Sequence, residues 1–400
     1  MTETGKSPLF PTYARYPITL VKGEGSRLWD DTGKEYIDLM SGIAVTNLGH
    51  APQAVKEKLV EQLDQLWHVS NLFHIPNQEK LAKLLTDNSC ADAVFFCSTG
   101  AEANEAAIKL ARRYSQKVLQ NGRYEIITFN MSFHGRTLAT LTATGQDKVK
   151  EGFHPLPEGF KYAPYNDIEA VRSLVNDKTC AIMLEMIQGE GGVLPADPQF
   201  VQDLAALCKQ ENLLLIVDEI QTGVGRTGKL FAYEHYGIEP DIFTLAKGLG
   251  AGFPIGAMLG KAHLAEGFSA GSHGSTFGGT PIATAAGIAA VETVLANKLP
   301  ERAAELGAYT VEKLESKLAG NPLVAKVRGV GLLIGIECTQ PAGEMISEIH
   351  KQGVLVIPAG PNVIRLVPAL TIPQEDLDKG LDIMCEVLAR KAAASAASAG

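Results

Sequence analysis

Six short runs of apolar, β-rich residues recur through the middle of this 400-residue chain, at 93–97, 124–129, 180–185, 213–217, 242–245 and 255–259, with longer helical stretches between several of them. The runs are continuous rather than alternating. A strand that is apolar at every position must be covered on both faces, so the expected fold is α/β with a mainly parallel, doubly wound sheet. Open sheets of that kind bind ligands beyond the carboxyl ends of their strands. Chemistry is therefore sought in the residues that end each run.

Lys247 closes the run at 242–245 after a single alanine and is followed by Gly248-Leu249-Gly250. An amine at the mouth of a buried strand is desolvated, which favours its neutral, nucleophilic form. The glycines let backbone or ligand come close. The run at 213–217 ends in Asp218-Glu219-Ile220-Gln221, which places an acid at a second strand end. Lysine plus acid is the minimal apparatus for pyridoxal 5′-phosphate: the lysine makes the imine, and the acid pairs with the ring nitrogen that turns the ring into an electron sink.

Other strand ends add to this pair. Ser98-Thr99-Gly100-Ala101-Glu102 follows the first run with a hydroxyl cap and an acid in the first turn, the pattern of a helix N-terminus whose free N–H groups bind a phosphate. Phe133 and Arg136 follow the second run, offering a ring to stack on a cofactor and a fork for a carboxylate. Glu185 and Glu190 close the third. Arg365 lies near the chain's end, and a buried arginine without a partner would cost several kcal/mol, so Glu190 is expected to cover it when no substrate does. The loop holding Ser275 and Thr276 is rich in glycine and hydroxyls and could donate to a phosphate. Gly223-Val224-Gly225-Arg226-Thr227-Gly228 matches a dinucleotide fingerprint, but four residues separate Asp218 from its first glycine and too little chain follows for the crossover helix, so nicotinamide binding is not expected.

Composition excludes other classes. The net charge is −9 and no basic tract occurs, which disfavours nucleic acid or an anionic membrane as partner. No apolar run reaches the roughly 18 residues that span a bilayer, and the N-terminus has no apolar leader core, so a cytoplasmic protein is expected. Six scattered cysteines without a C-x-x-C pair read as reduced, mostly buried thiols. The nine histidines show no paired ligand spacing, and no metal is expected.

The chain divides by character. Residues 1–60 are expected to contribute to a smaller domain, 61–298 to form the large cofactor-binding domain, 299–391 to complete a small α+β domain, and the alanine- and serine-rich 392–400 to be a flexible tail. The alanine-rich 283–296 reads as a helix buried against the sheet or a partner subunit.

Taken together, 217–228 with Pro240-Asp241 and Ala246-Lys247-Gly248, then 98–101, 133–137, 185–192 and 275–281 in the same order, resemble the class III (ornithine-type) aminotransferases from about Leu9 to Leu388. Gly42-Ile43, the 67–73 segment and the compact length are most similar to the branch of that family acting on N2-acetylornithine, but the 4-aminobutyrate enzymes share the isoleucine, and 4-aminobutyrate, succinylornithine and succinyl-diaminopimelate stay open as donors. The resemblance implies the fold type I of pyridoxal-phosphate enzymes and transfer of a δ-amino group to 2-oxoglutarate. It implies that Lys247 carries the cofactor, Asp218 pairs with its ring nitrogen, and Gln221 sits near the ring hydroxyl, in the stretch Glu219, Ile220, Gln221. Ser98, Gly100 and Ala101 would hold the phosphate, helped by Thr276 from the second subunit of a homodimer, while Phe133 stacks on the ring. Arg136 and Ser275 would contact the donor. Arg365, covered by Glu190 at rest, would receive the α-carboxylate of glutamate.

Overall fold

The computed structural model describes residues 8–399, with the backbone alone for 396–399. Seven strands form the large sheet in the spatial order Ala93–Cys97, Gly256–Gly260, Ile242–Leu245, Leu214–Asp218, Thr179–Leu184, Glu125–Phe129, Phe160–Ala163. The inner pairs are parallel, with Ile216 opposite Ile242 and Leu214 opposite Ala181. Gly256–Gly260 alone runs antiparallel to both of its neighbours. Every residue of Thr179–Leu184, Leu214–Asp218 and Ile242–Leu245 is buried, as continuous apolar runs require. Burying a Val, Leu, Ile or Phe side chain contributes roughly 1.5–3 kcal/mol, so these central strands anchor the core and fix where their polar ends lie.

One helix covers the sheet near those ends, and a second packs on the helices Gln53–Leu63 and Pro76–Asp87 and on the Lys247–Leu249 turn. Gly100–Arg113 starts at the Thr99 cap, whose hydroxyl accepts from the Glu102 N–H while the Glu102 carboxylate accepts from Ser98 and Thr99, and it ends in Arg112 and Arg113, which suit the helix dipole. Its inward face is Ala103, Asn104, Ala106, Ala107, Ile108, Leu110 and Ala111. Pro281–Ala296 begins with the Thr280 cap and Pro281 in its first turn, and is buried along most of its length.

The second body of the chain is a four-stranded antiparallel sheet, Val324–Val330, Leu333–Cys338, Val363–Leu366 and Ile357–Ala359. The N-terminal strands Leu20–Glu24, Arg27–Asp30 and Glu35–Asp38 form a separate sheet closed by Val354–Leu355, pairing Ile37 with Val354. The Arg27 guanidinium reaches Asp376 of the last helix at 2.6 Å. That helix spans Gln374–Ala399, so 392–399, expected as a tail, is helical. Alanine is the best helix former, and neither proline nor glycine interrupts the run before residue 400. No single helix among the described residues is long and apolar enough to cross a membrane; one pair, Pro281–Ala296 with Leu299–Lys317, meets the length and composition test only together and is bent by 65°. All six cysteines are free, five buried and Cys90 half-buried.

Candidate active site

A cavity of about 430 Å³ opens at the carboxyl ends of the central strands, with Ser98, Gly100, Ala101, Phe133, Arg136, Asp218, Ile220, Gln221 and Lys247 on its wall. Lys247 follows Ile242–Leu245 by one alanine and starts a tight turn in the left-handed region, φ 43°. Gly248 lets that turn press on Asn47: a Cβ there would lie 2.1 Å from Asn47 Nδ2. The amine has no hydrogen-bond or ion-pair partner among the described residues. Burial pulls its pKa below the ordinary lysine value, opposed by Glu190, reinforced by Arg365 and opposed again by Asp218 and Glu185. An amine with its proton weakly held and its lone pair uncommitted is a nucleophile.

Asp218 ends the adjacent strand, buried, with both oxygens engaged. Oδ2 accepts from Asn104 Nδ2 and from His134 Nδ1, each at 2.8 Å, and Oδ1 accepts from the Ile220 N–H at 3.0 Å. Glu219 points the other way, because successive side chains at a strand end leave opposite faces. Expected beside the cofactor, its carboxylate instead sits in the core, taking the Tyr233 N–H at 2.9 Å and the Thr222 hydroxyl. Burial raises its pKa to about 7, against the lowering effect of those bonds.

The helix beginning at Gly100 aims its first turn at the cavity. Glu102 consumes the N–H groups of Ser98 and Thr99, leaving those of Gly100 and Ala101 without partners among the described residues. A Cβ on Gly100 would approach Ile220 Cδ1 to 2.8 Å, so any larger residue there would have to displace the Ile220 side chain. Two free amides at a helix N-terminus suit a phosphate. On the opposite wall the Arg136 guanidinium lies over the Phe133 ring, 5.7 Å from its centre. The donor set therefore fits pyridoxal phosphate: amides for the phosphate, an aromatic ring for the pyridine face, a carboxylate for the ring nitrogen and a free amine for the aldehyde.

Arg365 and Glu190 meet as electrostatics required, at 2.6 Å, with Gln221 Oε1 accepting a second bond from the same nitrogen at 3.0 Å. Arg365 is 1% exposed, whereas the Glu190 side chain keeps 30% of its surface. Burial works to raise the Glu190 pKa, but Arg365 prevails and holds it below the usual carboxylate range. Glu185, on the cavity wall, is driven well above that range by burial and then by the charge of Asp218.

The structure does not bring Ser275 and Thr276 onto this cavity wall. Ser275 is half-buried and Thr276 exposed, in a loop held by Asn71, whose Nδ2 donates to the carbonyls of Ser275 at 3.1 Å and Gly278 at 2.9 Å. Asn104, His134 and Thr244 around Asp218 received no role from the sequence. Asn104 carried a usable signal, since it is the one polar residue on the alanine face of its helix.

A family model described as Aminotransferase class-III matches residues 11–388. An acetylornithine aminotransferase of Oceanobacillus iheyensis is 52% identical over 389 residues, covering 97% of this chain and 98% of its own. One from Bacillus subtilis is 50% identical, covering 97% and 99%. Among solved structures, N-acetylornithine aminotransferase from Stenotrophomonas maltophilia aligns with a TM-score of 0.83 at 36% identity over 96% of this chain and 98% of its own. An ornithine aminotransferase from Toxoplasma gondii, described with pyridoxal phosphate at its active site, aligns with a TM-score of 0.92 at 33% identity over 95% and 92%.

Proposed function

The chain belongs to the class III aminotransferases, and from that premise we propose that it moves the δ-amino group of N2-acetyl-L-ornithine to 2-oxoglutarate, giving N-acetyl-L-glutamate 5-semialdehyde and L-glutamate. The single observation that carries the chemistry is the uncommitted Lys247 amine facing Asp218 across a cavity with two free helix amides. The donor is supported by relatives about half identical over nearly the whole chain. Pyridoxal phosphate supplies an aldehyde that accepts the amino group and a ring that delocalises the electron pair of the broken C–H bond.

The chain's own residues do the rest. Gly100 and Ala101 would hold the phosphate through backbone N–H groups, with Ser98 beside them, and Phe133 and Ile220 would confine the ring. Gln221 would serve the ring hydroxyl, and Asp218 would stabilise positive charge at the ring nitrogen. Lys247 would hold the cofactor, and its Nζ, once free, would take the proton from the donor's δ-carbon. Arg136 contacts the donor. When 2-oxoglutarate follows, Glu190 gives up Arg365, whose fork receives the α-carboxylate.

The protein is proposed to act as a cytoplasmic homodimer. Trp67, Leu72 and Phe73 are exposed in the segment that Asn71 ties to the loop of the equally exposed Phe277, whose ring lies 5.4 Å from that of His68, and exposed apolar residues gathered in this way suit an interface. Thr276 in that loop would reach the partner's phosphate, and Ser275 the donor. Steady-state rates with N2-acetylornithine, ornithine and 4-aminobutyrate test the donor: acetylornithine is expected to give the highest kcat/KM, and a higher value for either competitor would overturn the assignment.

A further inference from the structure

Around Asp218 the hydrogen bonds admit only one arrangement of protons. The amide nitrogen of Asn104 lies 2.8 Å from both the His134 carbonyl and Asp218 Oδ2, and its oxygen lies 2.7 Å from the Thr244 hydroxyl. The His134 carbonyl can only accept, so the amide cannot turn over without setting oxygen against oxygen. Both Asn104 protons are thereby spent, one on that carbonyl and one on Asp218. Thr244 closes the arrangement by donating its hydroxyl proton to the Asn104 oxygen. Asn104 and Thr244 are fully buried, on different elements, and neither is on the cavity wall.

A carboxylate offers about four lone-pair positions. On Asp218, Asn104 and His134 take two at Oδ2, and the Ile220 N–H takes one at Oδ1. The position left over belongs to Oδ1, on a side chain that lines the cavity.

We propose that Asn104 is a positioning residue, backed by Thr244, that locks Asp218 so that a single Oδ1 lone pair faces the cofactor's ring nitrogen. This rests on the reading of Asp218 given above. Removing the lock frees the carboxylate to rotate and to turn its unused position elsewhere, without altering any group that touches the substrate. Rate should therefore fall while donor binding holds.

The test compares Asn104→Leu, Asn104→Asp, Thr244→Val and Thr244→Ser with Asp218→Asn as the benchmark, all as holoenzymes. Measured are the unfolding midpoint, cofactor retained on dilution, the position of the bound cofactor's visible absorbance band, and kcat and KM for the amino donor. Asn104→Asp, which keeps the shape but turns the donor into an acceptor, is expected to lower kcat and cofactor retention by about tenfold to a hundredfold and to move the band, with KM nearly unchanged. Thr244→Val should cost about three- to tenfold in kcat, restored by Thr244→Ser. If Asp218→Asn is crippled while both Asn104 variants keep wild-type kcat, retention and spectrum, the proposal is overturned. If Asp218→Asn itself behaves as wild type, the reading of Asp218 falls and this proposal with it. Asn104→Leu failing to fold leaves the Asn104→Asp and Thr244 comparisons to decide.

Discussion

Two buried arginines lie in this molecule in opposite kinds of surroundings. Arg365 faces a part-exposed carboxylate, and the nitrogen that meets it also donates to the Gln221 amide oxygen. Arg226, inside the 223–228 glycine loop, is completely buried and has no acidic partner among the described residues: its guanidinium donates to the carbonyls of Leu332 at 3.0 Å and Pro368 at 2.5 Å and to Asn47 Oδ1 at 2.9 Å. Burial alone pulls its pKa down to about 9. A charge meant to change partners is matched with a part-exposed counter-charge, whereas a charge meant to hold segments together is matched with buried dipoles. The same division separates Lys247, uncommitted in the cavity, from Glu219, tied to backbone in the core.

If the division is right, substitutions on the cavity side should spoil turnover and spare stability, and those on the core side should do the reverse. Lys247→Ala should lower kcat by at least about a thousandfold, with the unfolding midpoint nearly unchanged. Activity within tenfold of wild type would break the comparison at its strongest point. Arg365→Met should raise the KM for 2-oxoglutarate about tenfold to a hundredfold, leave the first half-reaction with the amino donor intact, and change stability little. Arg226→Met should do the opposite: three buried acceptors lose their donor, and denaturant unfolding should show a loss of about 3 kcal/mol with kcat of the folded fraction preserved. An Arg226→Met enzyme of normal stability would mean that the carbonyl cradle holds nothing together.

The smallest effect sharpens the comparison through pH. Burial raises the Glu219 pKa from 4.5 to about 7, so the stability contributed by the neutral carboxyl is present in full below pH 4.5 and is lost as pH rises through about 7. Glu219→Gln cannot ionise and escapes that loss. Its advantage over wild type should grow between those values and level off at roughly 3 kcal/mol above pH 7. Unfolding curves at several pH values check this, and a difference independent of pH would contradict it.

Much of this was legible beforehand, for identifiable reasons. Strands covered on both faces announce themselves as continuous apolar runs, and the run at 242–245 matches a fully buried strand, while 93–97, at the sheet edge, was found because all five of its residues are apolar. Phe160–Ala163 escaped notice because its Lys161 interrupts a run of only four residues. The Arg365–Glu190 pair was legible from energetics alone, since a buried guanidinium demands a partner. The Asp218 cluster was not: Asn104, His134 and Thr244 converge on it from distant points of the chain, and no local pattern encodes a meeting of that kind. Arg226 hid inside a glycine motif whose spacing pointed to a different ligand, and only the carbonyls around it reveal its role.

The central claim, an acetylornithine aminotransferase working through Lys247 and Asp218, is tested most directly by titrating the holoenzyme's visible absorbance band with N2-acetyl-L-ornithine, L-ornithine and 4-aminobutyrate in the absence of any acceptor. The account predicts that the band is lost at the lowest concentration with acetylornithine and returns on adding 2-oxoglutarate. Loss of the band first with 4-aminobutyrate or ornithine would contradict the donor assignment, and no band even after adding pyridoxal phosphate would contradict the role of Lys247.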